Sequence, residues 1–122
     1  MDQLLFHFAC LDGTYDFEAQ FTADELRYET KSTIPELESL SGVLEETESF
    51  RKELELAEIE KWDRKYPAMG TPIEDAVKWQ VKLIKDGKEY VTEGEESYEP
   101  YRYEHLVKAL MCCYGKAEYY MI

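Results

Sequence analysis

The first twenty or so residues alternate. Leu4, Phe6, Phe8 and Cys10 fall on one face, and Tyr15, Phe17, Ala19 and Phe21 repeat the pattern beyond the turn dipeptide Asp12-Gly13. Period-two alternation around such a dipeptide predicts a β-hairpin. Asp16, Glu18 and Gln20 occupy the other face of its second strand, so one side packs and the other is wet. A third strand is expected over residues 25–31, where Leu26, Tyr28 and Thr30 alternate with Arg27 and Glu29. Further along, Val77, Trp79, Val81 and Leu83 alternate with Lys78, Gln80, Lys82 and Ile84. Asp86-Gly87 then turns the chain into a return strand through Tyr90 and Thr92, which Gly94 is expected to break.

Between and after the hairpins the period changes. Residues 32–41 hold Pro35 and several hydroxyl residues and read as a connection, with one helical turn after Pro35. Over 47–65, Phe50, Leu54, Ala57 and Trp62 share a helical stripe, Glu45, Glu46 and Glu48 suit the positive end of the dipole, and Pro67 sets the limit. Residues 66–72 read as a loop. A last helix over 100–114 carries Tyr103, Leu106, Val107, Leu110, Met111 and Tyr114 at helical spacing, with Gly115 as its stop. Residues 117–122 form a tyrosine-rich tail expected to dock on the body. The expected fold is α+β: an antiparallel sheet of about five strands from two hairpins plus one strand, with two main helices packed on one face. Its core should join Phe6, Phe8, Phe17, Phe21, Trp79, Val81, Leu106 and Leu110. At 122 residues the chain suits a single domain, 1–122.

Charge narrows the function classes. Acids outnumber bases 27 to 14, for a net charge of −13, and such a field repels nucleic acid and anionic membranes. The apolar fraction, 44%, is too high for a disordered chain. Cys10, Cys112 and Cys113 are odd in number and two are adjacent, a poor disulfide framework that suggests reduced thiols and a cytoplasmic location. His7 and His105 are the only histidines, and no C-x-x-C occurs, so neither a metal site nor a cofactor is expected. The beginning of the chain lacks a positively charged leader, and no apolar run reaches the roughly 18 residues of a membrane span.

In the C-terminal half, Trp62-x3-Tyr66, Trp79 opening a strand, Asp86-Gly87, then Gly94, Tyr98 and Pro100 before an amphipathic helix, resembles a group of small bacterial or phage hypothetical proteins, mostly from Firmicutes. In that group the turn after the hairpin reads more like Gly-Ser-Asn-Ala-Tyr-Pro. Here it is Gly94-Glu95-Glu96-Ser97-Tyr98-Glu99-Pro100, longer by a residue and richer in acid. The resemblance implies a bacterial or phage origin and a similar fold, and it supplies no catalytic residue.

No nucleophile elbow, phosphate loop or dinucleotide fingerprint occurs. Adjacent carboxylates such as Asp24-Glu25, Glu45-Glu46 and Glu95-Glu96 are expected in so acidic a chain, and a solvated face accounts for them. His7 reads as a hydrogen-bonded strand residue and His105 as a boundary residue of the last helix. What stands out is acid excess in three stretches, 1–30, 36–60 and 85–104. The function expected is a non-enzymatic acidic interaction protein that blocks a basic protein partner, such as a nucleic-acid-binding protein, by occupying its surface. The expected contact is an acidic turn over 93–99, with Glu93, Glu95, Glu96 and Glu99 as carboxylates and Tyr98, Tyr101 and Tyr103 as amphipathic anchors. A self-associating structural module and a small enzyme using surface carboxylates are the alternatives. Because the cysteines lack both spacing and partners, chelator and reductant should each leave the thermal melting curve unchanged; a fall of several degrees with either would reveal a bound metal or a disulfide.

Overall fold

The computed structural model describes residues 1–35, 37–66, 78–95, 100 and 102–114. The first hairpin is β1 (Asp2–Cys10) and β2 (Gly13–Phe21), in register from Asp2↔Phe21 to Cys10↔Gly13. The turn itself is Leu11-Asp12, one residue earlier than the dipeptide suggests, because Gly13 opens β2 at φ +144° beside Thr33. Only glycine holds that angle without strain. β3 (Leu26–Ser32) continues the meander, and β4 (Ser41–Val43) pairs with it at Arg27–Glu29. The second hairpin is β6 (Lys78–Lys85) and β7 (Lys88–Glu95), joined by Asp86 and Gly87 at φ +52° and +81°. Two successive positive φ values are the type I′ geometry that suits the twist of a two-residue hairpin. β5 (Lys65–Tyr66) lies parallel to β7.

Among the described residues the sheet therefore has seven strands, in the order β4-β3-β2-β1-β6-β7-β5, and only the β5–β7 pair is parallel. The expectation of about five strands is corrected by β4 and β5, which are three and two residues long and so too short to show alternation. β4 lies at the end of the stretch read as a plain connection. That stretch is tied down by Thr30, buried among apolar neighbours, whose hydroxyl accepts from Leu40 N at 2.7 Å and donates to Glu38 O at 3.2 Å. Of the single helical turn expected after Pro35, Glu36 lies outside the described residues; Leu37 N donates to Ile34 O at 3.1 Å, and Leu37–Leu40 form no helix. The second hairpin also runs further than expected, since Gly94 pairs with both Trp79 and Tyr66 inside the sheet instead of ending it.

Two helices cover one face. α1 (Glu48–Ala57) buries Phe50, Leu54 and Ala57, and α2 (Tyr103–Cys112) buries Tyr103, Leu106, Ala109, Leu110 and Met111. These residues form one cluster with the inward positions of the strands, including all eight core residues expected from the sequence. The first helix is shorter than 47–65. Glu58 adopts a left-handed conformation (φ +51°), and the indole Nε1 of Trp62 donates to the Ala57 carbonyl at 2.8 Å, closing the helix. A short 3-10 turn (Ile59–Lys61) follows and buries Ile59. The Gly115 stop and the tail 117–122 lie outside the described residues, as does the loop beyond Tyr66. Among the described residues, no helix is long and apolar enough to cross a membrane.

Trp79 is 9% exposed and packs between Tyr66 and Tyr103, with ring centroids 5.7 and 6.3 Å away. Trp79→Ala should cost roughly 3–5 kcal/mol, because truncating a large buried aromatic leaves a cavity. Denaturant unfolding of that variant checks the facing of β6, and a midpoint equal to the parent's would contradict it.

Candidate functional site

Alternation sends the second set of strand side chains to the uncovered face of the sheet. Across its centre, register sets Glu93, Gln80, His7, Asp16 and Lys31 in one row, with Lys82, Leu5, Glu18 and Glu29 in the next. Nδ1 of His7 lies 2.6 Å from Oδ1 of Asp16, and this pair lines an open depression of about 640 Å³ with Glu18, Glu29, Lys31, Gln80 and Lys82. A carboxylate on Nδ1 fixes the imidazole and leaves Nε2 facing outward, an arrangement suited to proton transfer. Here both side chains are about half exposed, so water screens the pair. The described lining holds no serine, threonine or cysteine to act as nucleophile.

The acids of this face are largely matched locally. Glu25 meets Arg27, Glu29 meets Lys31, Glu89 meets Lys82 and Glu95 meets Lys78, at 3.2 to 3.9 Å. Such exposed pairs stabilise little, but they lower the net field of the face. Glu93 has no ion pair among the described residues.

The helical side differs. α1 carries only two cations, Arg51 and Lys52, and Arg51 turns back to the sheet, over the ring of Phe21 at 5.6 Å and onto the carbonyl of Thr22. Glu53 is bonded to His105 Nδ1 at 2.7 Å, Glu58 to Lys61 and Arg102, and Glu60 to Lys85. Glu46 accepts from Ser49 N at 3.1 Å, satisfying an orphan donor of the first turn. Glu45, Glu48 and Glu55 are exposed and have no ion pair among the described residues. On α2, burial first, then the charges of Glu46 and Glu53, push the Cys112 thiol above its ordinary value. The Lys61 ammonium, bonded to Glu58, holds that carboxyl below the usual range, with Arg102 adding to the effect.

Of the contact residues expected from the sequence, Glu93 and Glu95 lie on β7 and not in a turn, because β6 and β5 both hydrogen-bond to this stretch. Glu95 faces Lys78. Tyr103 is not an anchor at the surface but a core residue, 5% exposed against Trp62 and Trp79. Glu96, Tyr98, Glu99 and Tyr101 lie outside the described residues. His7 is a hydrogen-bonded strand residue, as expected, but its partner Asp16 and the His105–Glu53 pair escaped sequence reasoning, because they join residues on different elements and leave no spacing signal. Among the described residues no group of three or more His, Cys, Asp or Glu is gathered to hold a metal. No protein-family model matches the chain, and comparison with curated proteins gives no match.

Cys113 is buried, and burial together with neighbouring Cys112 pushes its thiol from 9.0 to about 12. Its thiolate is therefore disfavoured in the folded state. The stabilisation this gives is full below pH 9 and is lost as pH rises from there towards 12. Native protein at neutral pH should leave Cys113 unalkylated, with labelling only on unfolding, and Cys113→Ala should flatten the alkaline fall in stability. Mass-spectrometric mapping and pH-dependent melts check both.

Proposed function

We propose that the chain is a non-enzymatic acidic interaction protein that binds a basic macromolecular partner and blocks it by occupancy, as an inhibitor or immunity protein does. In the bacterial or phage setting that the C-terminal resemblance implies, a nucleic-acid-binding protein is the partner whose surface chemistry fits. The observation that carries this reading is the asymmetry of charge: several acids of the sheet face meet a neighbouring Lys or Arg, whereas Glu45, just before α1, and Glu48 and Glu55 on it have no ion pair among the described residues. Removal of Arg51 to the sheet deepens the excess. Carboxylates displayed on a rigid helix meet Lys and Arg with little reorganisation, which favours fast, salt-sensitive association. Of the residues first singled out, Glu93 makes no ion pair among the described residues, but it lies on the uncovered face of the sheet and so apart from the α1 acids. Glu95 contributes less because Lys78 already faces it.

The triple variant Glu45→Lys, Glu48→Lys and Glu55→Lys tests this while sparing Glu46 and Glu53, which have structural partners. Reversal at Glu45 and Glu48, near the helix N-terminus, costs about 0.3–1 kcal/mol per site, while a lysine in place of Glu55 in the last turn suits the dipole, so circular dichroism should be unchanged. Proteins captured from host lysate at low salt should include a basic one that binds the parent, and purified titration should show at least about tenfold weaker binding to the variant. Unchanged affinity at low salt, or captured proteins all of neutral or acidic character, would overturn the proposal.

A further inference from the structure

β7 is hydrogen-bonded along one edge by β6 for its whole length, yet along the other by β5 only at Glu93 and Gly94. Glu93 N donates to Arg64 O at 3.0 Å, which shows that its main chain points away from β6. Strand periodicity gives Glu89 and Val91 the same outward direction, with one donor and one acceptor each. Among the described residues no strand pairs with them. The edge opens onto a groove of about 550 Å³ walled by Ile59, Glu60 and Trp62 and bounded at the β5 end by Arg64 and Lys65.

From this edge, and resting on the reading of a basic partner, we propose that β7 receives an extended segment of that partner by strand addition, in line with β5, with main-chain hydrogen bonds at Glu89 and Val91 as its principal contact and a Lys or Arg that shares the exposed Glu89 carboxylate with Lys82. β5 supplies the pattern: the strand already added to this edge places Lys65 opposite Glu93 in register. Glu89 lies four residues earlier on the same face, exposed, with Val91 between, so along its facing side, at every second residue, the complementary segment alternates cationic and apolar residues. A second copy of the chain fits less well. β5 occupies the register at Glu93, and antiparallel pairing centred on Val91 would set Glu89 of one copy against Glu93 of the other. β4, at the opposite edge, offers only three residues.

The test uses the full chain and a short synthetic peptide repeating Lys-Thr-Val-Thr, which sets Lys and Val in turn on one face, beside the same peptide with alternate amides N-methylated. Amide hydrogen exchange and sedimentation are read together. The expected result is that the unmodified peptide slows exchange at Glu89 and Val91 about tenfold or more while the methylated peptide does not. Equal binding of both peptides without protection at those amides would overturn strand addition and leave the charge-based reading standing. Binding by neither would overturn strand addition, with the α1 charge-reversal titration deciding the broader reading separately. Protection at Glu89 and Val91 in the free protein would also overturn it, with sedimentation separating cover by a second copy from cover by the chain itself.

Discussion

Strand β1 is paired along both edges, at nine positions with β2 and at seven with β6. This double pairing fixes one register for the centre of the sheet, and a slip by a single residue would turn Leu4, Phe6 and Phe8 to solvent. The helices then have one surface to cover. α1 lies towards Phe21, where the Phe50 ring meets it edge-on at 5.9 Å, and α2 lies towards Trp79 and Tyr15. The contacts between helices, Glu53 with His105 and Glu58 with Arg102, follow from that placement.

The same constraint explains the sorting of charge. On a sheet face, cross-strand and diagonal neighbours lie within reach of one another, so interspersed Lys and Glu neutralise locally. Glu18 and Glu29, directly opposed, are the exception in the central rows, and Lys31 relieves Glu29. On the solvent side of a helix the neighbours within reach are three and four residues away on the same element. Acids there retain their field unless a residue on the same helix answers it, and Arg51 is directed elsewhere.

The hairpins were legible because alternation and Asp-Gly turns are local signals, and the final helix because its apolar residues repeat over three turns. The end of α1 was not. Helical periodicity over Glu48 to Lys65 does not mark Glu58 as left-handed; there Trp62 reaches back five residues to the Ala57 carbonyl and Arg102, distant in sequence, pairs with Glu58. β4 and β5 escaped detection because strands so short have no period and exist only where a longer strand offers an edge. The acidity of the surface was legible as composition. Which acids retain their charge unanswered depends on where Lys78, Lys82 and Arg51 point, and spacing does not encode that.

The pairing of β1 with β6 has a further consequence for how the chain reaches this state. Phe6 sits opposite Val81, some 75 positions away in sequence, whereas each hairpin closes over a two-residue turn. The two hairpins are local and form on the microsecond scale, but joining them must close the long intervening loop. Until that happens, during synthesis or after denaturation, β1 presents an unpaired edge beside an uncovered row of phenylalanines. The order of events on the nascent chain, with β6 made long after β1, leaves that hairpin exposed for most of translation.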